Sequence, residues 1–129
     1  MSILVDSSVW ITFFRGDRES VSRLDPLLAE RHVAITGPIY AEVLSGCRHH
    51  RDLTRMRIFF RSLTWIAESD GVWDRVAETR FLLLRKGKQS TVTDLMIALA
   101  AESSGSPLMT RDRDFTPISE VIPLTLLLF

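Results

Sequence analysis

Short apolar runs alternate along this chain with longer stretches in which apolar residues recur every three or four positions. The runs over 3–5, 33–36 and 107–110 carry no polar alternation, so they read as strands buried on both faces. Shorter or later strands are expected over 64–67 and 121–128. Between these runs, helical spacing appears over 7–14, closed by Gly16, and over 20–31. Pro38 suits the first turn of a helix that carries Tyr40 to Leu44 and stops at Gly46. Leu53, Met56, Phe60 and Leu63 mark one face of a helix over 49–63. Val72, Val76 and Leu83 mark one over 70–86, ended by Gly87. An alanine-rich helix over 94–104 ends at Gly105. Strands alternating with helices predict one α/β domain over 1–129, with a small, mainly parallel sheet between two helical layers.

In such sheets ligands bind outside the carboxyl ends of the strands, so an acid placed just after a strand is a candidate for chemistry. Asp6 ends the first strand, and Glu42 lies early in the helix after the second. Asp94 opens the alanine-rich helix, with Thr91 or Thr93 as its N-cap, and Asp112 follows the run over 107–110, with Asp114 two residues on. Each also has an ordinary structural reading. Asp94 suits a helix dipole, Glu42 a solvated helix face, and Asp112 and Asp114 a polar turn. Asp6 is harder to dismiss, because an acid closing a buried strand needs a partner. Two carboxylates about 4 Å apart repel by about 4 kcal/mol at an effective dielectric near 20. A cluster of them persists only if protonated, paired with cations or built around a metal. An oxygen-only set suits Mg²⁺ or Mn²⁺ rather than zinc, and such ions typically act on phosphate esters.

Composition narrows the field. The chain has 129 residues, 46% of them hydrophobic and 25% charged, which is the balance of an ordinary soluble domain. No charge-free stretch approaches the ~20 residues that span a bilayer, and the N-terminal segment lacks a basic region, so neither membrane anchoring nor a signal peptide is expected. A single cysteine, Cys47, excludes an internal disulfide and fits a reducing, cytoplasmic setting. Sixteen basic residues balance sixteen acidic ones, but only Lys86 and Lys88 are lysines. The rest are arginines, the better residue for gripping phosphate. Ser8 stands where a haloacid-dehalogenase-type phosphatase needs a second acid, and the turn after Asp6 lacks the glycines of a dinucleotide-binding fold.

Four segments together resemble the PIN-domain ribonucleases: Asp6-Ser7-Ser8 after a hydrophobic strand, Glu42 with Gly46 four residues on, Asp94-Leu95-Met96-Ile97-Ala98, and Thr110-Arg111-Asp112-Arg113-Asp114-Phe115. The short length and Glu42-Val43-Leu44-Ser45-Gly46 are most similar to the VapC-type toxins of toxin–antitoxin modules. The resemblance implies a PIN-like α/β/α fold and metal-dependent endonucleolytic cleavage of RNA. It assigns Asp6 and Asp94 as direct ligands of Mg²⁺ (or Mn²⁺), with Glu42 and Asp112 completing the set. It gives Ser8 and Thr110 supporting roles and leaves open whether Asp112 or Asp114 faces the metal. The products would carry 5′-phosphate and 3′-hydroxyl ends. A catalytically inactive binding module of the same fold and a metal-dependent phosphatase are the alternatives.

The helix over 49–63 carries the densest basic surface, with Arg48, Arg51 and Arg55 along one side. These residues read as a phosphate-contacting ridge beside the acids or as a plain solvated face, with Arg15, Arg111 and Arg113 the next basic candidates. Trp10, Trp65 and Trp73 are expected in packing rather than base stacking. The apolar run over 124–129, with Trp10, Phe13 and Phe14, gives more apolar surface than one small core hides. A homodimer is therefore expected, and the resemblance to VapC-type toxins implies a separate antitoxin chain covering the acidic groove.

Overall fold

A computed structural model describes residues 2–129. Five parallel strands, β1 (Ile3–Val5), β2 (Val33–Ile35), β3 (Thr64–Trp65), β4 (Leu108–Thr110) and β5 (Leu126–Leu128), form one sheet in the order β3-β2-β1-β4-β5. Leu4 stands opposite both Ala34 of β2 and Leu108 of β4. β2 and β4 are buried at every position, as is β1 at Leu4 and Val5. Both faces of the sheet are therefore covered, and the expected α/β/α layering is observed.

Seven helices do the covering: α1 (Ser7–Phe14), α2 (Arg18–Ala29), α3 (Gly37–Ser45), α4 (His50–Arg61), α5 (Val72–Arg85), α6 (Val92–Ser104) and α7 (Phe115–Ser119). Helix α1 packs on α2 and α3, and α3 on α4, while α5 and α6 pack together with α7. Local chemistry sets the ends. Asp6, Asp17 and Thr91 cap α1, α2 and α6 with side-chain oxygens, and Pro38 sits in the first turn of α3. Gly105 closes α6 in the left-handed region at φ 68°, where a side chain would be strained. Among the described residues, no helix is long and apolar enough to cross a membrane.

The core is one continuous cluster running from Leu4 and Val5 through Ile35, Leu95 and Leu99 to Phe115. At one end, Trp10 is fully buried against Phe13, Phe14, Phe59 and Phe60, with ring centroids 5.0–5.8 Å apart. Its indole Nε1 donates to the Val5 carbonyl at 3.0 Å, which ties α1 to the end of β1. Phe13 and Phe14 belong to this aromatic cluster, and Phe14 remains 39% exposed. One packing expectation is corrected: Trp73 is 60% exposed, whereas Trp65 keeps a packing role and donates its Nε1–H to the Phe60 carbonyl at 3.0 Å. Trp65 hangs over Tyr40 at the sheet edge, and Trp73 lies on the solvent side of α5.

The strand expected over 121–128 shrinks to Leu126–Leu128, because Pro123 has no N–H for a ladder and Leu124 turns back to the Ile122 carbonyl. The five-residue α7 before it buries only Phe115 and Ile118, too short a repeat to show as periodicity.

Gly37 and Gly105 both leave room for a Cβ, with nothing within 4 Å, and only Gly105 has a positive φ. Gly105→Ala should therefore cost about 1 kcal/mol through backbone strain alone, while Gly37→Ala stays within about 0.5 kcal/mol of wild type. Urea denaturation checks both values.

Candidate active site

The sheet reverses its winding between β1 and β4. One crossover runs to β2 on one side and a later one to β4 on the other. The crevice at such a switch point lies beyond the carboxyl ends of the two strands, and there the chain places Asp6, directly after β1, and Asp112, two residues after β4.

Asp6 is only 4% exposed, and it is held tightly. Its Oδ2 accepts from the Ser8 hydroxyl at 2.8 Å and the Thr110 hydroxyl at 2.9 Å, with a longer contact of 3.4 Å from the Ser8 N–H. Each hydroxyl has one proton, so its own acceptor capacity is filled from elsewhere. The Arg111 N–H donates to Ser8 Oγ at 3.0 Å, and the Asp112 N–H to Thr110 Oγ1 at 3.0 Å. The chain after β4 thus orients the two hydroxyls that orient Asp6. Among the described residues these bonds all fall on Oδ2, leaving Oδ1 as the oxygen without a protein partner.

Glu42, on α3, accepts only a long 3.5 Å bond from the Ser7 hydroxyl. Its pKa is raised, first by burial and then by the charge of Asp6. Asp94 stands in the first turn of α6, its backbone N–H on the Thr91 hydroxyl at 3.1 Å, so Thr91 and not Thr93 is the cap. Burial, followed by the charges of Asp112, Asp6 and Glu42, pushes its carboxyl up to about 6. Asp6, Glu42, Asp94 and Asp112 therefore lie within one another's field. Asp112 bears on both Glu42 and Asp94, and its Oδ1 accepts from the Asp114 N–H at 2.9 Å. Asp114 is exposed and lines a groove beside Asp94.

No cation pairs with these four carboxyls among the described residues. Arg111 points its guanidinium at Asp17 Oδ2, 2.8 Å away, and at Ser20 Oγ, with the Phe129 ring beneath it. Through these contacts it ties α2 and the Phe129 ring to the loop after β4. Arg48, Arg51 and Arg55 are exposed on and just before α4 and line no groove shared with the acids. Two arginines outside that ridge do: Arg15 beside Glu42, and Arg80 beside Asp94 and Asp114. Arg80 lies on a helix distant in sequence from every acid, so no motif marks it.

The donor set fits a hard divalent cation. It is all oxygen, it forms no ion pair among the described residues, and burial followed by neighbouring carboxylate charge raises the pKa of two of its members. Among the described residues no three acidic, histidine or cysteine side chains stand at ligand spacing.

Because the folded protein holds the Asp94 and Glu42 protons to higher pH than the unfolded chain, this pair favours folding at low pH and loses that contribution as pH rises from about 4 through 6. In EDTA, unfolding free energy should fall between pH 4.5 and 7 by on the order of 1 kcal/mol more in wild type than in Asp94→Asn. Equal slopes in the two proteins would contradict the assignment.

A model of the PIN domain family matches residues 3–121. Ribonuclease VapC21 of Mycobacterium tuberculosis is 31% identical over 102 residues, which cover 77% of this chain and 74% of that protein. Ribonuclease VapC11 of the same species is 27% identical over 127 residues, 95% of each chain. Among solved structures, VapBC2 of Rickettsia felis bound to a promoter DNA fragment superposes with a TM-score of 0.79 at 22% identity, over 99% of this chain and 98% of that one. With its four acids gathered at the sheet's carboxyl edge, the chain belongs to the PIN domain family and, within it, to the VapC type.

Proposed function

We propose that this protein is a metal-dependent endoribonuclease acting as the toxin of a toxin–antitoxin pair. The observation that carries the reading is the convergence of Asp6, Glu42, Asp94 and Asp112 in one mutually repelling set that forms no ion pair among the described residues. Asp6 and Asp94 would hold Mg²⁺ or Mn²⁺ directly, with Glu42 and Asp112 completing the set. A divalent cation there supplies charge neutralisation and an acidified water for phosphodiester hydrolysis.

The protein's own part is positional. Ser8 and Thr110 lock Asp6 through Oδ2, so that Oδ1 faces the site without rotating. The Thr91 cap fixes the first turn of α6 and with it the direction of Asp94. Water oxygen joins the phosphorus as the 3′-oxygen leaves with a proton, giving 5′-phosphate and 3′-hydroxyl ends.

The partner assignment rests on the relatives. Several solved neighbours are described as VapBC or toxin–antitoxin complexes, and a cognate antitoxin covering the acidic crevice is the corresponding partner here. The reading includes a homodimer and a cytoplasmic location. Trp73, Phe81 and Leu84, all exposed on α5, supply an apolar face for a second copy.

The test is cleavage of a structured RNA by purified protein with Mg²⁺, followed by end analysis. Asp6→Asn and Asp94→Asn should each cut activity by on the order of 100-fold or more, as should EDTA, with melting temperature kept or raised because each substitution also removes repulsion. Near-normal cleavage by both variants would overturn the reading.

A further inference from the structure

A set of four carboxyls repels the polyanion it must cut, and zero net charge gives no long-range help. Local cations must hold the strand on either side of the acids. Two open grooves adjoin the carboxyl set. One, of about 290 Å³, brings Arg15 beside Glu42, with Gly46 and Met56 in its wall. The other, of about 360 Å³, brings Arg80, Gln89, Ser90 and Thr91 beside Asp94 and Asp114. Each groove contains one arginine, and among the described residues neither arginine is in an ion pair.

The second groove has further features that suit a phosphate. Among the described residues the only bond of the Arg80 side chain is a long one, Nε–H to the Ser90 carbonyl at 3.4 Å, which leaves the rest of its guanidinium unbonded. The Ser90 hydroxyl is buried with no partner among the described residues. The first-turn N–H groups of Val92 and Thr93, at the start of α6, have no acceptor inside the helix.

Building on the ribonuclease reading, we propose that Arg15 and Arg80 bind the RNA phosphates flanking the scissile one, so that the strand crosses the acids from one groove to the other. The exposed ridge of Arg48, Arg51 and Arg55 is not part of this path.

The experiment is anisotropy titration of a short single-stranded RNA in EDTA across a salt series, with thermal melts confirming that each variant folds. Arg15→Gln and Arg80→Gln should each lower the log–log salt slope by about 0.7, equivalent to about fivefold weaker binding at 0.1 M salt when extrapolated to 1 M. Arg80→Lys should keep the slope, because it keeps the charge. The double variant Arg51→Gln/Arg55→Gln should match wild type. An unchanged slope at either Arg15 or Arg80, or a loss confined to the Arg51/Arg55 variant, overturns the proposed path while wild-type cleavage with Mg²⁺ leaves the ribonuclease reading standing. Failure of the wild type to bind or cut RNA removes both.

Discussion

Electrostatic repulsion among four carboxyls is the constraint on which this molecule turns. A parallel sheet delivers strand ends to one edge, and at the β1–β4 switch point it delivers Asp6 and Asp112 together. Helices α3 and α6, which pack on each other, bring Glu42 and Asp94 to the same place. The fold thus maintains an arrangement that solvent and Coulomb's law disfavour, and the raised pKa values of Glu42 and Asp94 record the cost. The rest of the structure around the site bears that load. Full burial of Leu4, Val5, Trp10 and Leu108 anchors the strands and the first helix that carry the acids.

The hydroxyl relay shows how the strain is contained. Asp6 is the most buried of the four acids, yet its Oδ2 is satisfied by Ser8 and Thr110, each oriented by a backbone N–H from the loop after β4. That loop is in turn held by Arg111, bound to Asp17 and stacked on Phe129. Arg111 therefore acts as a strut from Phe129 and α2 to the acidic crevice. An arginine flanked by acids in sequence looks like an RNA contact; in three dimensions its Nη1 also holds Asp17 and Ser20.

Much of this was legible in the residues. Buried strands without alternation gave the parallel sheet, and glycine and proline punctuation gave the helix ends to within a few residues. The four acids were visible because each follows a strand or opens a helix, positions where topology alone predicts convergence. The failures have physical causes. Helix α7 was too short for a period to register, and Pro123 broke an apolar run that composition read as strand. The exposure of Trp73 was hidden because a helix with one buried face can carry large apolar residues on the other. Arg80 went unmarked and Arg15 stood only among the second-rank candidates because their nearness to the acids is tertiary, whereas Arg48, Arg51 and Arg55 stood out through local density.

The central claim is that the carboxyl set is incomplete without a divalent cation, and metal-linked stability tests it without any assumption about substrate. At pH 7, the melting temperature of the wild type should rise with Mn²⁺ concentration and keep rising logarithmically above the dissociation constant, as ligand binding to the folded state alone requires. The rise should be smaller at pH 5, where Asp94 carries its proton, and close to absent in Asp6→Asn. A wild-type melting temperature in millimolar Mn²⁺ equal to that in EDTA would contradict the account.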